Sequence, residues 1–430
     1  MRRSVFAVVI VVTAGLVAGS WWKDAGQKAA APVATTLMPV PSTTRPELAA
    51  GVAALETRIQ QRPTDGDAVI QLANLLIRIQ RVDGDPAAVI KAEQRLRDFL
   101  ARTPDHYEAQ RALGPVLLSQ HRFRDAMREA NRASAMDPRD AFNYGVIGDA
   151  HLELGDYDEA FAAFDRMGAL RPGPAAYARI AYALEMKGDL DGALENMRMA
   201  AEGTSAHDAE GQAWHYAQLG NLLLQKGRLG DARREFERAA FTFPDHPYAT
   251  TGLARVKIGE GDYSGALAVY ERMFGRAPSP ELAFVIGDLH AKLDRHDRAE
   301  SMYAEGERLE RDGWASEEPQ PQALARFLAE RGRKIGDALA LAEEAAAKRR
   351  DVHTMDALAW AYFKSDRLED AFRASEAAIR TGTRDARILQ HAAAIRQRLG
   401  DVNGARMLLD RAATPLPDVL LVNEDWVVKG

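Results

Sequence analysis

Through the long middle of the chain, apolar residues recur at helical spacing. Tyr144, Ile147, Gly148 and His151 fall at i, i+3, i+4 and i+7, which is one face of a helix. Gly155-Asp156-Tyr157 interrupts that face. Ala160, Phe164 and Gly168 then mark a second helix at i, i+4 and i+8, and Arg171-Pro172-Gly173 ends it. Proline has no amide hydrogen to donate and pushes its predecessor out of helical geometry, so it closes one helix and frees the chain to start the next. Tyr216, Leu219, Gly220 and Leu223, then Gly227, then Ala232, Phe236, Ala239 and Pro244 repeat the arrangement. The pattern predicts pairs of antiparallel helices and no strands, an all-α fold.

The pairs keep a beat. Pro104, Pro138 and Pro172 stand 34 residues apart, as do Pro244 and Pro278, and the turn glycines Gly227 and Gly261. Small residues on the first helices (Gly114, Gly148, Gly220, Ala359) let two helices approach. Small residues on the second (Ala126, Ala160, Ala193, Ala232, Ala266, Ala299, Ala371, Ala405) let the next pair dock, and Phe164, Phe236, Tyr270 and Tyr303 fill the space between pairs. A 34-residue helix–turn–helix unit with these landmarks resembles the tetratricopeptide repeat family over about residues 66–413, and within it the bacterial exported or membrane-anchored members. The resemblance implies a right-handed superhelical solenoid of about ten units, each resting only on its neighbours, with a concave face lined by the first helices.

The ends differ in composition. Arg2 and Arg3 precede an uncharged run from Ser4 to Trp22, long enough as a helix to approach the ~30 Å hydrocarbon core of a bilayer. Residues 1–22 therefore read as a signal anchor with Trp21 and Trp22 at the far interface, or as a signal peptide cut near Ala18-Gly19-Ser20. Ser20 stands where a lipid-bearing cysteine would be, which excludes lipoprotein processing there. Residues 23–46, rich in Ala, Pro and Thr, form a spacer. The array is expected over 47–312, with a leading helix at 47–61 and seven units. The phase breaks between Arg311 and Gln322, a hinge before a sub-array over 313–414, and 415–430 form an extended tail.

Charge and chemistry narrow the function. Lys and Arg number 56 against 62 Asp and Glu, a net charge of −6, so there is no basic excess to hold a phosphate backbone and nucleic acid is not the expected partner. The chain has no Cys, which removes disulfides, thiolate metal sites and a cysteine nucleophile. His207/His215 and His290/His296 lack the ligand number of a metal site, Asp83-Gly84-Asp85 lacks a calcium loop's closing Glu, and Asp156, Asp158 and Glu159 sit where acids cap a helix. No catalytic residue, metal or cofactor is expected. Some tetratricopeptide domains clamp a partner's C-terminal carboxylate with Lys and Asn on successive first helices; at the matching positions here only Arg111 and Asn221 fit. The expected groove wall is Arg111, Asp149, Tyr182, Trp214, Asn221, Arg255 and Asp288, a mixed-sign surface suited to a peptide or helix. The expectation is a non-enzymatic scaffold at the bacterial envelope that binds partner proteins or peptides, anchored through residues 4–22 if these are retained and periplasmic or secreted if they are cut. The alternative is a ligand or peptide sensor, or a regulatory subunit of an envelope enzyme or secretion complex.

Overall fold

The computed structural model describes residues 45–313, 320–414 and 417. The signal or anchor segment, most of the spacer, the centre of the expected hinge and most of the tail lie outside the described residues. Among the described residues there are 21 helices and no strand, and no helix is long and apolar enough to cross a membrane.

Helix α1 (Arg45–Gln61) leads. Ten helix pairs follow: α2 (Gly66–Asp83) with α3 (Pro86–Leu100), α4 (Tyr107–Ser119) with α5 (Phe123–Met136), α6 (Ala141–Leu154) with α7 (Tyr157–Leu170), α8 (Pro174–Met186) with α9 (Leu190–Gly203), and α10 (Ala209–Gln225) with α11 (Leu229–Thr242). The other five are α12 (Pro247–Gly259) with α13 (Tyr263–Arg276), α14 (Pro280–Lys292) with α15 (His296–Gly313), α16 (Pro321–Glu330) with α17 (Ile335–Lys348), α18 (Val352–Lys364) with α19 (Leu368–Ala378), and α20 (Ala386–Arg398) with α21 (Val402–Arg411). The second helices of units two, three, five and six stop at Met136, Leu170, Thr242 and Arg276, each just before a beat proline.

Packing follows the small-and-large alternation. The docking alanines from Ala126 to Ala405 are essentially inaccessible, and Phe164 and Phe236 are buried beside them. A Cβ built on Gly148 would lie 2.1 Å from the Phe164 ring, so only a glycine lets that aromatic lie flat on the first helix. Stacking continues from unit seven to unit eight, on either side of the undescribed 314–319. The Phe284 and Phe327 rings stack at 3.7 Å, and Arg331 binds Asp288 at 2.9 Å through its Nε.

The solenoid also returns to itself. The amide of Arg350, in the connector before unit nine, donates to the carbonyl of Leu154 at 2.9 Å, at the turn of unit three. One repeat on, the Gly382 carbonyl meets the turn of unit four at Gly188, and the Thr414 amide donates to the Gln225 carbonyl at the turn of unit five (2.9 Å). At the other end, the unit-one turn at Gly84 faces Ala277, before unit seven. These four segments thus rest on turns six units earlier, and the second superhelical turn seats on the first there. Gly155 and Gly188 are glycines for two reasons: both have left-handed φ (89° and 80°), and a Cβ there would come within 2.4 Å and 2.7 Å of the opposing backbone. One apolar core accordingly joins Leu152, Ile180 and Met186 to Leu328, Trp360 and Ile395 across the two turns.

Candidate binding surface

Winding this tight fills the inside. The first helices are buried on most of their circumference: α4 is covered from Ala112 to Ser119, and on α10 only Gln212, Gln218 and Asn221 are partly open between Ala209 and Leu224. Polar groups in such a wall must find partners, because an unpaired buried charge is costly. They find them one unit along. Asp149 accepts from Arg179 Nε at 2.7 Å and from its Nη2; burial pushes Asp149 up to about 6 against the pull of that guanidinium. Glu185 accepts from Gln225 Nε2 at 2.6 Å, and burial raises it to about 7, opposed by that hydrogen bond. Arg255 donates to Asn221 Oδ1 at 3.3 Å. Asp288 accepts from Tyr303 Oη (2.8 Å) and Arg331, its carboxyl raised by burial and drawn back by both. Asp356 faces His391 Nδ1 at 2.9 Å, and the His391 ring stacks on Trp360 at 4.0 Å.

The seven residues expected on the groove wall therefore have different fates. Asp149 and Asp288 are buried ion-pair rungs between units, and Trp214 is buried in the core of units four and five. Asn221 and Arg255 form a half-buried rung of the same ladder. Tyr182 is half-buried against the shared core, its hydroxyl held well above the usual tyrosine range by burial. Arg111 keeps a quarter of its side chain exposed, pairs with Asp140 at 2.6 Å and lies over the Phe142 ring at 4.0 Å. The structure brings Asn221 and Arg255 together and leaves the other five apart.

The sequence reading missed two arginines. Arg326 on α16 and Arg387 on α20 both reach toward Glu330, at 3.8 and 3.9 Å, and Arg387 lies 3.6 Å from Asp356. Repulsion from Arg387, with burial, lowers Arg326 from its usual range. Arg326 retains a third of its side-chain exposure. This is a partly open cationic spot with acidic neighbours, suited to a carboxylate on a partner. Their shared place on the first helices of units eight and ten was legible; their convergence depended on the winding.

Asp83, Asp85 and His215, set aside as metal groups, have structural partners. Asp83 pairs with Arg45 at 2.7 Å and Asp85 caps α3 through the Ala87 amide. His215, pushed down to about 3 by burial, lies 3.0 Å from Thr204 Oγ1, while His207 is exposed. No group of three or more metal-binding side chains occurs among the described residues.

The tetratricopeptide repeat model matches residues 111–173, 146–208, 218–272 and 251–309. These stretches are tetratricopeptide repeats. Among its relatives, cellulose synthase operon protein C of Pseudomonas fluorescens is 26% identical over 265 residues, which cover 57% of this chain and 20% of that protein. Human tetratricopeptide repeat protein 36 is 39% identical over 89 residues, 20% of this chain and 47% of that protein. The chain thus spans a fifth and about half of the lengths of these two relatives. The crystal structure of yeast Tom70 aligns over 87% of this chain and 93% of its own, at 13% identity and a TM-score of 0.40. Tetratricopeptide arrays are in general non-catalytic frames for protein interaction, and the 21 described helices are such an array.

Proposed function

We propose that this protein is a non-enzymatic scaffold at the bacterial cell envelope, binding segments of partner proteins on its first-helix wall and not nucleic acid. The observation that supports it is the partly open Arg326 side chain on the first-helix wall, which reaches toward the same Glu330 oxygen as Arg387. A partner carboxylate there gains charge-assisted hydrogen bonds at little reorganisation cost. Residues 4–22 hold the array outside the cytoplasmic membrane, or release it after cleavage. The test is cross-linking of the full chain in envelope membranes, with Arg326→Glu/Arg387→Glu as comparison and N-terminal sequencing of the recovered protein. A partner set that is reproducible and lost in the double variant is expected; identical recovery from both, or a chain found only in the cytoplasm, refutes the reading. The similarity to a protein named for a cellulose synthase operon favours a second form of the same role: an accessory subunit of an envelope enzyme.

A further inference from the structure

At the start of the array a cleft of about 230 Å³ opens between the end of α1, the start of α2 and the end of α3. Its floor is apolar. Val69 and Phe99 are buried there, Ile59 is half-buried, and Pro63 stands exposed beside them. Arg95 and Asp98 on α3, and Arg102 just past its end, line the cleft at i, i+3 and i+7. Glu56 lines it from α1 and is held by Lys91 at 2.5 Å.

Spacings of three and four residues on a helix bring opposite charges together. The second helices of units two, five, seven and nine use them, in Arg128–Asp125, Arg234–Asp231, Arg308–Glu305 and Arg373–Asp370. On α3 itself Arg97 binds Glu93 at 2.7 Å. Asp98 has the same spacings to Arg95 and Arg102. Yet none of these three side chains makes a hydrogen bond or ion pair among the described residues. Two uncommitted guanidiniums therefore border a cleft with one uncommitted carboxylate. A comparable cleft between the turn of unit two and the start of unit eight differs in this respect. There Arg124 donates to the Lys348 carbonyl at 2.7 Å, and Arg349 binds Asp351 at 2.6 Å and Glu153 at 2.9 Å.

Size and charge select the occupant. Sites for whole small molecules run to about 300–1,000 Å³. A cleft of about 230 Å³ takes one or two side chains of a longer segment. The floor suits Leu, Ile, Met or Phe, and a free guanidinium suits a carboxylate, which it can hold by two parallel bonds. We infer that this cleft docks an acidic peptide segment of a partner protein, with a large apolar side chain on Val69 and Phe99 and a neighbouring Asp or Glu on Arg95 and Arg102. The site shares no residue with the Arg326 spot and goes beyond the reading of the inner wall.

The test is a peptide array probed with the full chain. Each peptide carries one Leu, Ile, Met or Phe with Asp at one to three positions on either side, and matched series carry Asn or Lys in place of Asp. Hits are titrated in solution by fluorescence anisotropy. The Asp series is expected to bind saturably, at least about fivefold tighter than the Asn series, with the Lys series weakest. Arg95→Glu/Arg102→Glu is expected to lose at least about tenfold on Asp peptides and to gain on Lys peptides. These side chains have no partners to lose, so the fold survives the exchange. Asp98→Asn removes the uncommitted opposing charge and is expected to tighten Asp peptides about twofold. Arg326→Glu/Arg387→Glu is expected to leave them unchanged; a loss there moves the binding to the inner wall and overturns the inference. So does an array with no saturable Asp-series binding, equal binding of the Asp and Asn series, or binding indifferent to Arg95→Glu/Arg102→Glu.

Discussion

Replacing Gly155 by alanine tests whether the seating of one superhelical turn on the other holds the molecule together. Gly400 provides the control, because its φ is also +89° but a Cβ there would meet nothing within 4 Å. At Gly400, alanine incurs the left-handed backbone penalty of about 1–2 kcal/mol, reduced by about 0.4–1 kcal/mol from the stiffer unfolded chain. At Gly155 the same terms apply, and the new methyl also falls 2.4 Å from the Arg350 carbonyl carbon and 2.6 Å from the Asp351 nitrogen. Backbone cannot swing aside as a side chain can, so the connector must lift. Four bonds share that junction: Arg350 N to Leu154 O (2.9 Å), Val352 N to Tyr157 Oη (2.8 Å), Arg380 to Gly155 O (2.8 Å) and Arg349 to Glu153 (2.9 Å). At about 1 kcal/mol for a neutral bond and about 1.5–3 for a charged one, losing half of them adds about 3 kcal/mol. Urea unfolding of both variants reads the difference, and small-angle scattering reads whether the Gly155→Ala chain expands. If Gly155→Ala costs the same as Gly400→Ala within about 0.5 kcal/mol, the junction is a passive contact and the reasoning fails.

Three further outcomes follow from the inner wall. Glu185 has a folded-state pKa of about 7, above its unfolded value, so its contribution is complete below about pH 4.5 and lost as pH rises through 7; Glu185→Gln should match the parent near pH 4.5 and exceed it by about 2–3 kcal/mol at pH 8.5, read by urea midpoints at each pH. Arg179→Ala leaves the Asp149 carboxylate buried without its guanidinium and should cost about 3–5 kcal/mol, most of it recovered in Arg179→Met/Asp149→Leu; a single variant as stable as the parent contradicts the rung. Phe327→Ala removes the ring stacked on Phe284 and beside Tyr303 and should cost about 3–5 kcal/mol in one cooperative transition; two separated transitions would mean that units one to seven and eight to ten unfold independently.

The repeat was legible because its period is carried by residue types with one physical use each. Ala160 and Ala232 are small where helices touch, Phe164 and Phe236 are large between them, and a proline stands at each boundary. The inner wall was legible only in part. Its phase put Asp149 and Asp288 on the groove wall, but a carboxylate on a first helix can be open or, as here, buried in a pair. Their partners Arg179 and Arg331 lie 30 and 43 residues on, because the connectors between units differ in length. Trp214 was expected on the wall and lies in the core; nothing in the spacing of α10 separates those two positions, since that helix is covered on nearly every side. The return of the chain after six units left no local sign. Gly155 and Gly188 read as ordinary turn glycines, and the backbone that crowds them comes from about 195 residues further along.

That return changes what kind of folding problem the chain poses. In an open repeat rod, stability is a sum of local increments, and modules can be removed or added at little risk. Here the opposing contacts form a ratchet: excising one of the intervening modules would shift every later connector by a notch, setting Arg350 against the His121 turn of unit two and Gly382 against the Gly155 turn of unit three. Module number is consequently a fixed quantity in this protein, and its folding should be slower and more all-or-none than that of a rod of equal length, since its rewarding contacts close loops of nearly half the chain.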